Sequence, residues 1–137
     1  MISTKGRYAL QVMVDLAEHN SEDFIPLDVI AVRQGISKKY LEIIIKILVK
    51  HNLLKGMRGK GGGYKLTRKP SEYTVGEILE LTETSMAVVS CLKSKINICE
   101  KKTHCHTLPM WEKFNQMTHD FFFGITLQNL LEPQQIN

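Results

Sequence analysis

The segment Gly59–Gly63 places four glycines within five residues, between two short stretches of strand length. Glycine adopts positive φ without a steric penalty, so such a run is suited to the tip of a β-hairpin. A phosphate-binding loop is the competing interpretation. The run lacks the Lys-Ser/Thr ending of such a loop, and it precedes a strand and not a helix. We therefore predict a glycine-tipped hairpin with strands within residues 53–58 and 64–67.

The residues before this hairpin predict two helices joined by a short turn. Pro26 is suited to the first position of a short helix, and Gly35 to its end. Ser37 is a typical N-cap for the next helix, Lys38–His51. That helix has a basic outer face and one apolar stripe, which consists of Leu41, Ile44, Ile45, Leu48 and Val49. The pattern is typical of a helix-turn-helix, which makes the hairpin behind it a wing.

Apolar periodicity predicts further helices on both sides of this unit. The first covers Thr4–Asn20. A capping box, Thr74 followed three residues later by Glu77, opens another at about Val75–Glu83. A short turn of helix is predicted at Thr126–Leu131.

A long helix is predicted at Pro109–Phe123. Its apolar residues step by four, three and four, as in a coiled-coil seam: Met110, Phe114, Met117 and Phe121. The seam either packs on its own domain or forms a dimer contact. We favour the dimer, because one long helix beside a small domain cannot easily bury both of its rows.

Together these elements predict a mainly α fold with a small β-hairpin wing. A chain of 137 residues is about one domain long. We divide it into a winged helix-turn-helix DNA-binding domain (residues 1–84), a cysteine-containing loop (85–107), and a dimerisation helix with a C-terminal turn (108–137).

The charge is concentrated in the first half of the chain. Residues 1–70 carry a net charge of +7 and residues 71–137 a net charge of −3. Residues 37–69 contain ten basic residues and one acid, Glu42. A solvated basic face needs no partner, but here the charge coincides with the helix-turn-helix pattern. We therefore predict nucleic acid as the partner.

Other function classes are disfavoured. No stretch approaches the roughly 18 apolar residues of a membrane span, and the N-terminus lacks a signal-peptide hydrophobic region, so a cytoplasmic location is expected. No catalytic triad, C-x-x-C pair or nucleotide fingerprint is present, which argues against an enzyme. The three cysteines are an odd number, which favours metal or redox chemistry over paired disulfides.

The order of these features resembles the Rrf2 family of winged-helix transcription regulators. The resemblance covers essentially the whole chain and rests on four stretches: Ser3–Ala9, Gly35–Glu42, Arg58–Tyr64 and Thr74–Ile78. It implies a homodimer that binds a partly palindromic operator and usually represses. Members often sense redox, iron–sulfur or nitric-oxide status through a cluster.

The helix Lys38–His51 is expected to be the recognition helix, which enters the major groove, where each base pair presents a distinct edge. Lys39 and Glu42 are candidates for base contacts, because lysine donates to guanine and a carboxylate accepts from cytosine. Ile43 either touches a thymine methyl group or packs inside the protein. The remaining candidates on this helix are Ser37, Lys38, Tyr40 and Lys46.

The wing is expected to supply a second set of contacts. Arg58 and Lys60 flank its tip, from which a long cation can enter a narrow minor groove. The other lysines of the region are expected beside phosphates, where they give affinity without sequence information: Lys50, Lys55 and Lys65.

The resemblance implies a metal site at Cys91, Cys99 and Cys105. Nearby lysines favour thiolates, which are the ligands of iron–sulfur clusters. In the family's iron–sulfur regulator a histidine follows the last cysteine by three residues, but that position is Leu108 here. The fourth ligand stays open among His106, His104, an exogenous thiol and water.

We favour a 2Fe–2S cluster on Cys91, Cys99, Cys105 and His106, with 4Fe–4S as the alternative. Zinc also uses three cysteines and one histidine. The alternative function is a cofactor-free winged-helix regulator controlled by thiol oxidation, zinc or a partner protein.

Overall fold

The computed structural model describes residues 2–20, 22–87 and 105–136. Its elements follow the predicted order, with boundaries that differ by one or two residues. They are α1 (Thr4–Glu18), α2 (Leu27–Gln34), α3 (Lys38–Lys50), β1 (Leu54–Met57), β2 (Gly63–Leu66), α4 (Val75–Thr82), α5 (Leu108–Phe123) and α6 (Leu127–Leu131). Short 3-10 turns lie at Pro70–Glu72 and Pro133–Gln135. The mainly helical fold with one antiparallel hairpin is confirmed.

Helix α1 lies at the centre of the core. It packs against α2, α3, α4 and α6. Its apolar stripe is almost fully buried, because three-to-four-residue spacing places these side chains on one face: Ala9, Val12, Met13 and Leu16. The core therefore fixes the orientation of α3 relative to the rest of the domain.

The turn between α2 and α3 has the predicted chemistry. Gly35 ends α2 with φ 64°, in the left-handed region that favours glycine. The Ser37 hydroxyl accepts a hydrogen bond from the Tyr40 N–H at 3.2 Å and so caps α3. Pro26 is the N-cap residue of α2 and not, as predicted, its first helical residue.

A buried carboxylate fastens this turn to α1. The Asp15 side chain is fully buried. It accepts two hydrogen bonds from the Arg33 guanidinium, at 2.6 and 3.0 Å, and one from Gln34 at 2.8 Å. The hydrogen bond to Asp15 raises the pKa of Arg33 above its ordinary value. The three bonds hold the end of α2, and with it the start of α3, against the core.

Asp15→Ala is expected to destabilise the fold by about 2 kcal/mol, because Arg33 and Gln34 lose their shared acceptor. The loss stays below that of a fully buried pair, since the Arg33 side chain is 31% exposed and water replaces part of the interaction. Thermal unfolding at fixed protein concentration should show a fall in Tm on the order of 5–10 °C. Asp28→Ala removes a largely exposed ion pair with Lys38, which contributes little to stability, and should lower Tm clearly less than Asp15→Ala does. Equal Tm values for the two variants would contradict this role of Asp15.

The hairpin is joined to the core on two sides. Its strands pair in the register Leu54↔Leu66, and Tyr64 forms a second bridge to Ile25 with backbone hydrogen bonds of 2.8 and 2.9 Å. The Tyr73 hydroxyl, fully buried, donates to the Leu53 carbonyl at 2.7 Å and accepts from the Thr67 N–H at 2.8 Å. These bonds fix the base of the hairpin beside α3.

Helix α5 is anchored at its C-terminal end. A Cβ at Gly76 of α4 would collide with the Phe123 ring, so the two helices approach closely there. Beyond α5 the chain returns to the core: the Val75 N–H donates to the Ile125 carbonyl at 2.8 Å, and Leu127 is fully buried. Within the described residues, no helix has both the length and the apolar character needed to cross a membrane.

Candidate nucleic-acid interface and cysteine segment

The outer face of α3 is polar and exposed, with one apolar exception. Lys38, Lys39, Glu42 and Lys46 are exposed. Ile43 lies among them with 48% of its surface exposed, so it does not pack inside the described protomer. This leaves its side chain available to an apolar group such as a thymine methyl.

The N-terminus of α3 is held by its neighbours. The Lys38 ammonium lies 3.0 Å from the Asp28 carboxylate, and this hydrogen bond raises the pKa of Lys38 above its ordinary value. Tyr40 is half-buried, with its ring edge-on to the Tyr8 ring at a centroid distance of 5.6 Å. Lys39, by contrast, projects into solvent. The geometry thus favours Lys39 for base contacts and gives Tyr40 a role in packing α3 on α1.

The wing tip is a glycine turn that presents two cations. Gly59 and Gly61 have φ values of 89° and 77°, and the Gly62 N–H donates to the Gly59 carbonyl at 3.0 Å. Residues with a side chain rarely adopt these conformations, which explains the glycines. Arg58 and Lys60 are exposed beside the turn.

A groove of about 300 Å³ separates the recognition helix from the wing. It is lined by Glu42, Ile45, Lys46, Val49 and Tyr64. Tyr64 therefore faces α3, and Lys46 and Glu42 reach from the helix toward the hairpin. Helix and wing thus lie side by side, and of the nine residues predicted to bind DNA all except Tyr40 are exposed.

The cysteine segment is described only at its end. Cys105 and His106 directly precede α5, with the Cys105 Sγ 3.3 Å from the Thr107 hydroxyl. Cys105 is half-buried and His106 is exposed. Cys91, Cys99 and His104 lie outside the described residues. Within residues 2–20, 22–87 and 105–136, no three metal-ligating side chains are grouped.

A carboxylate clamp lies where the cysteine segment begins. Both the N–H and the hydroxyl of Ser3 donate to the Glu83 carboxylate at 2.9 Å, which joins the end of α4 to the start of α1. Glu83 also lines a cavity of about 500 Å³ between α4 and α5, together with Glu80, Asn115, Thr118 and His119. The segment that leads to the cysteines is thus tied to the core helix.

Sequence reasoning missed Glu83 and Asp28. Glu83 is the last residue of the predicted capped helix and the C-cap residue of α4, and Asp28 lies in the first turn of α2. The partner of Glu83 is distant in sequence, because Ser3 precedes it by 80 residues, and the partner of Asp28 lies on the next helix. No local spacing signals such a pair. An acid in the first turn of a helix is already explained by its favourable interaction with the helix dipole. The sequence therefore gives no reason to expect a contact between Asp28 and Lys38.

The chain is similar to known regulators over nearly its whole length. The sequence profile of the family described as "Rrf2: Iron-dependent Transcriptional regulator" matches residues 2–133. The "HTH-type transcriptional regulator IscR" of Aliivibrio salmonicida is 37% identical over 139 residues, which cover 99% of this chain and 82% of that protein.

Two solved structures have the same fold. "T. potens IscR" matches with a TM-score of 0.75 and 36% identity, over 98% of this chain and 88% of the other. CymR of B. subtilis, described as "the Global Cysteine Regulator", matches with a TM-score of 0.78 and 30% identity, over 95% of each chain.

Proposed function

The chain belongs to the Rrf2 family of transcriptional regulators, and from that premise we propose that it is an operator-binding repressor that senses redox, iron–sulfur or nitric-oxide status. The observation that carries the DNA-binding part is the joined surface of α3 and the wing. Lys39, Glu42 and Ile43 are exposed on the helix, and Arg58 and Lys60 on the wing. A helix for the major groove beside a cationic hairpin for the minor groove matches what B-DNA presents.

The recognition surface contains both attraction and discrimination. Lys39 donates to guanine acceptors, and Lys46 beside the groove is suited to phosphate. Glu42 accepts from cytosine N4, and it repels phosphates and acceptor edges at wrong sequences. The Asp28 carboxylate lies 3.0 Å from the Lys38 ammonium and neutralises part of its charge, so Lys38 contributes less to DNA attraction than Lys39 does.

We propose a homodimer formed through α5. The row Met110, Phe114, Met117 and Phe121 is between 44% and 57% exposed in one protomer. Four large apolar side chains in one row form a patch of the kind that marks protein–protein contacts. When the α5 rows of two copies pack against each other, both rows are buried and the interface has two-fold symmetry. The two recognition helices then match the two halves of a palindromic site.

The sensing part depends on the cysteine segment. Cys105 and His106 supply one thiol and one imidazole, both reachable by solvent, and both are donor types found in iron–sulfur sites. Cys91 and Cys99 complete the proposed ligand set. When bound, a cluster supplies iron that reacts with oxidants and nitric oxide. The three cysteines would hold it, with His106 as the favoured fourth ligand.

A chain of hydrogen bonds among the described residues connects the start of the cysteine segment to the recognition helix. The segment begins after Glu83, which is clamped to Ser3 at the start of α1. Through Asp15, α1 in turn holds the end of α2 and the start of α3. A rearrangement of the cysteine segment that released Glu83 would change how α1 supports α3.

The alternative is a cofactor-free regulator controlled by thiol oxidation, zinc or a partner protein. The structural likeness to CymR supports this alternative, since that protein is described as a global cysteine regulator. Iron and sulfide analysis distinguishes the two, because only a cluster protein contains both in proportion to the polypeptide.

The DNA-binding proposal is tested by selecting fragments of the source genome on the purified protein and sequencing them. Enriched fragments should share a partly palindromic motif.

Arg58→Ala should then weaken binding to that motif by about 10- to 100-fold, with a smaller effect on random DNA. Lys50→Ala is the matched control and should weaken both duplexes to the same extent, as a phosphate contact does. Equal loss on motif and random DNA for Arg58→Ala would make Arg58 a backbone contact.

A further inference from the structure

The hairpin has a second cationic surface on the side away from α3, formed by Lys55, Lys65 and Lys69. Side chains alternate between the two faces of a strand pair. Leu54 and Leu66 are buried toward the core. The paired residues Lys55 and Lys65 therefore lie on the opposite face of the hairpin. We call these three lysines the outer hairpin patch.

Folding alone does not account for two lysines placed directly opposite each other in this patch. Lys55 and Lys65 are direct cross-strand partners, and like charges in that position destabilise a hairpin. The Lys65 ammonium is also oriented: it donates to the Glu22 carbonyl at 3.0 Å and lies 5.0 Å from the centre of the Phe24 ring. These two contacts account for the position of Lys65, whereas the like charge of Lys55 directly opposite it is what points to an anionic partner.

The chemistry of the patch fits phosphate better than a folded protein. The lysines line a cavity of about 370 Å³ with Asn20, Thr67, Arg68 and Glu72, and its one apolar lining residue is Leu66. Arg68 is paired with Glu77 at 2.6 Å, and the Glu72 carboxylate accepts from the Lys69 N–H at 3.3 Å. Protein interfaces have an apolar centre, whereas the residues that line this cavity are polar or charged except for Leu66.

We propose that the outer hairpin patch binds the phosphate backbone of DNA that flanks the operator. The inference rests on the proposed DNA-binding function and extends it. Tyr64 lines the groove shared with α3, so one side of the wing faces the recognition helix. With Arg58 and Lys60 at the tip in the minor groove, the patch lies on the side toward the flanking duplex. It adds affinity that depends on DNA length and not on flank sequence.

The test compares two duplexes that contain the selected motif. One ends at the motif, and the other continues by about one helical turn, ~10 base pairs, at each end. The parent protein should bind the longer duplex at least about 3- to 10-fold more tightly at low salt, with a salt slope steeper by about 3 to 4, because each protomer of the dimer contributes two or more lysines. The double variant Lys55→Gln/Lys69→Gln should lose this difference and bind the short duplex like the parent.

Three controls make the result specific. Lys55→Gln/Lys69→Gln should unfold at a Tm equal to or above that of the parent, because it removes the cross-strand repulsion. Lys55→Arg keeps the charge and should keep the flank effect. Lys113→Gln removes an exposed lysine from α5 and should leave the flank effect intact.

The outcomes separate this inference from the function on which it rests. If the parent binds no duplex, the proposed function is wrong and the flank contact with it. If the parent binds both duplexes equally, or the double variant keeps the gain, the patch does not bind flanking DNA although operator binding stands. Retention of a polyglutamate peptide by the parent but not the double variant, with no flank effect, would instead assign the patch to an acidic protein partner.

Discussion

Met117→Glu is expected to convert the protein to a monomer and to weaken binding to a palindromic operator by about 10²- to 10⁴-fold. Met117 lies within the apolar row of α5 and is 57% exposed in one protomer. In the proposed dimer it meets the partner's copy of the row, so a carboxylate there is buried without a counter-charge. Two half-sites then have to be occupied independently, and the gain from linked binding disappears. Light scattering measures the mass, and fluorescence anisotropy measures operator affinity.

The matched control is Gln116→Glu, which adds the same side chain one position away. Gln116 is exposed on a polar part of α5, where it donates to Asp120 at 2.7 Å. This variant exchanges the hydrogen bond for repulsion from Asp120, which costs only about 0.2–0.5 kcal/mol on an exposed helix face. It should remain dimeric and bind the operator as the parent does. Far-ultraviolet circular dichroism should show that both variants are folded, since the row lies outside the core. A dimeric Met117→Glu with parental affinity would rule out the row as the interface.

Cys105→Ala is expected to remove the cluster and with it the response of operator binding to air or nitric oxide. A thiolate is lost from a site that has only three, and alanine offers no donor atom. After anaerobic purification, iron per protomer should fall from near the cluster stoichiometry to near zero, and the visible absorption bands should disappear. The fold should persist, because Cys105 lies outside the buried core.

Histidine variants resolve the fourth ligand in the same assay. His106→Ala should lower iron retention if His106 is the ligand, whereas His104→Ala should do so if His104 is. His119→Ala is the matched control, since His119 stacks on Phe123 in α5 and should retain full iron content. A Cys105→Ala protein that keeps its iron and its colour would contradict the proposed ligand set.

The local elements were predictable because their signals lie within a few residues. The Thr74–Glu77 capping box, the Ser37 N-cap and the left-handed Gly35 each act on the adjacent backbone. Helix stripes were equally clear, because burial on one face requires a fixed period. The helix-turn-helix and wing therefore followed from sequence with boundaries nearly as observed.

Contacts between distant residues were not predictable in this way. In the sequence Asp15 is one acid of an amphipathic helix, and no neighbouring residue indicates that Arg33 donates hydrogen bonds to it. The bridge between Ile25 and Tyr64 joins an irregular segment to β2. The burial of Leu127 in the core likewise depends on the path of the whole chain. Such features come from tertiary packing, which a local pattern does not encode.

The same distinction between local patterns and distant contacts applies to the candidate site. The DNA-binding face could be predicted because one helix and one hairpin carry it, and periodicity assigns exposed residues to that face. The environment of Lys38 could not, since it depends on Asp28 of the neighbouring helix. The cysteine site draws its ligands from an aperiodic segment, so spacing gave the donors but left the fourth ligand open.

The most direct test of the sensing proposal is an anaerobic one. The protein is purified without oxygen, its ultraviolet–visible spectrum is recorded with iron and sulfide analysis, and operator binding is measured before and after exposure to air or nitric oxide. We expect visible bands, iron and sulfide near cluster stoichiometry, and operator affinity that changes as the bands vanish. A protein that stays colourless after reconstitution with iron and sulfide, yet binds the operator identically in every state, would contradict the proposal and favour control by thiols, zinc or a partner protein.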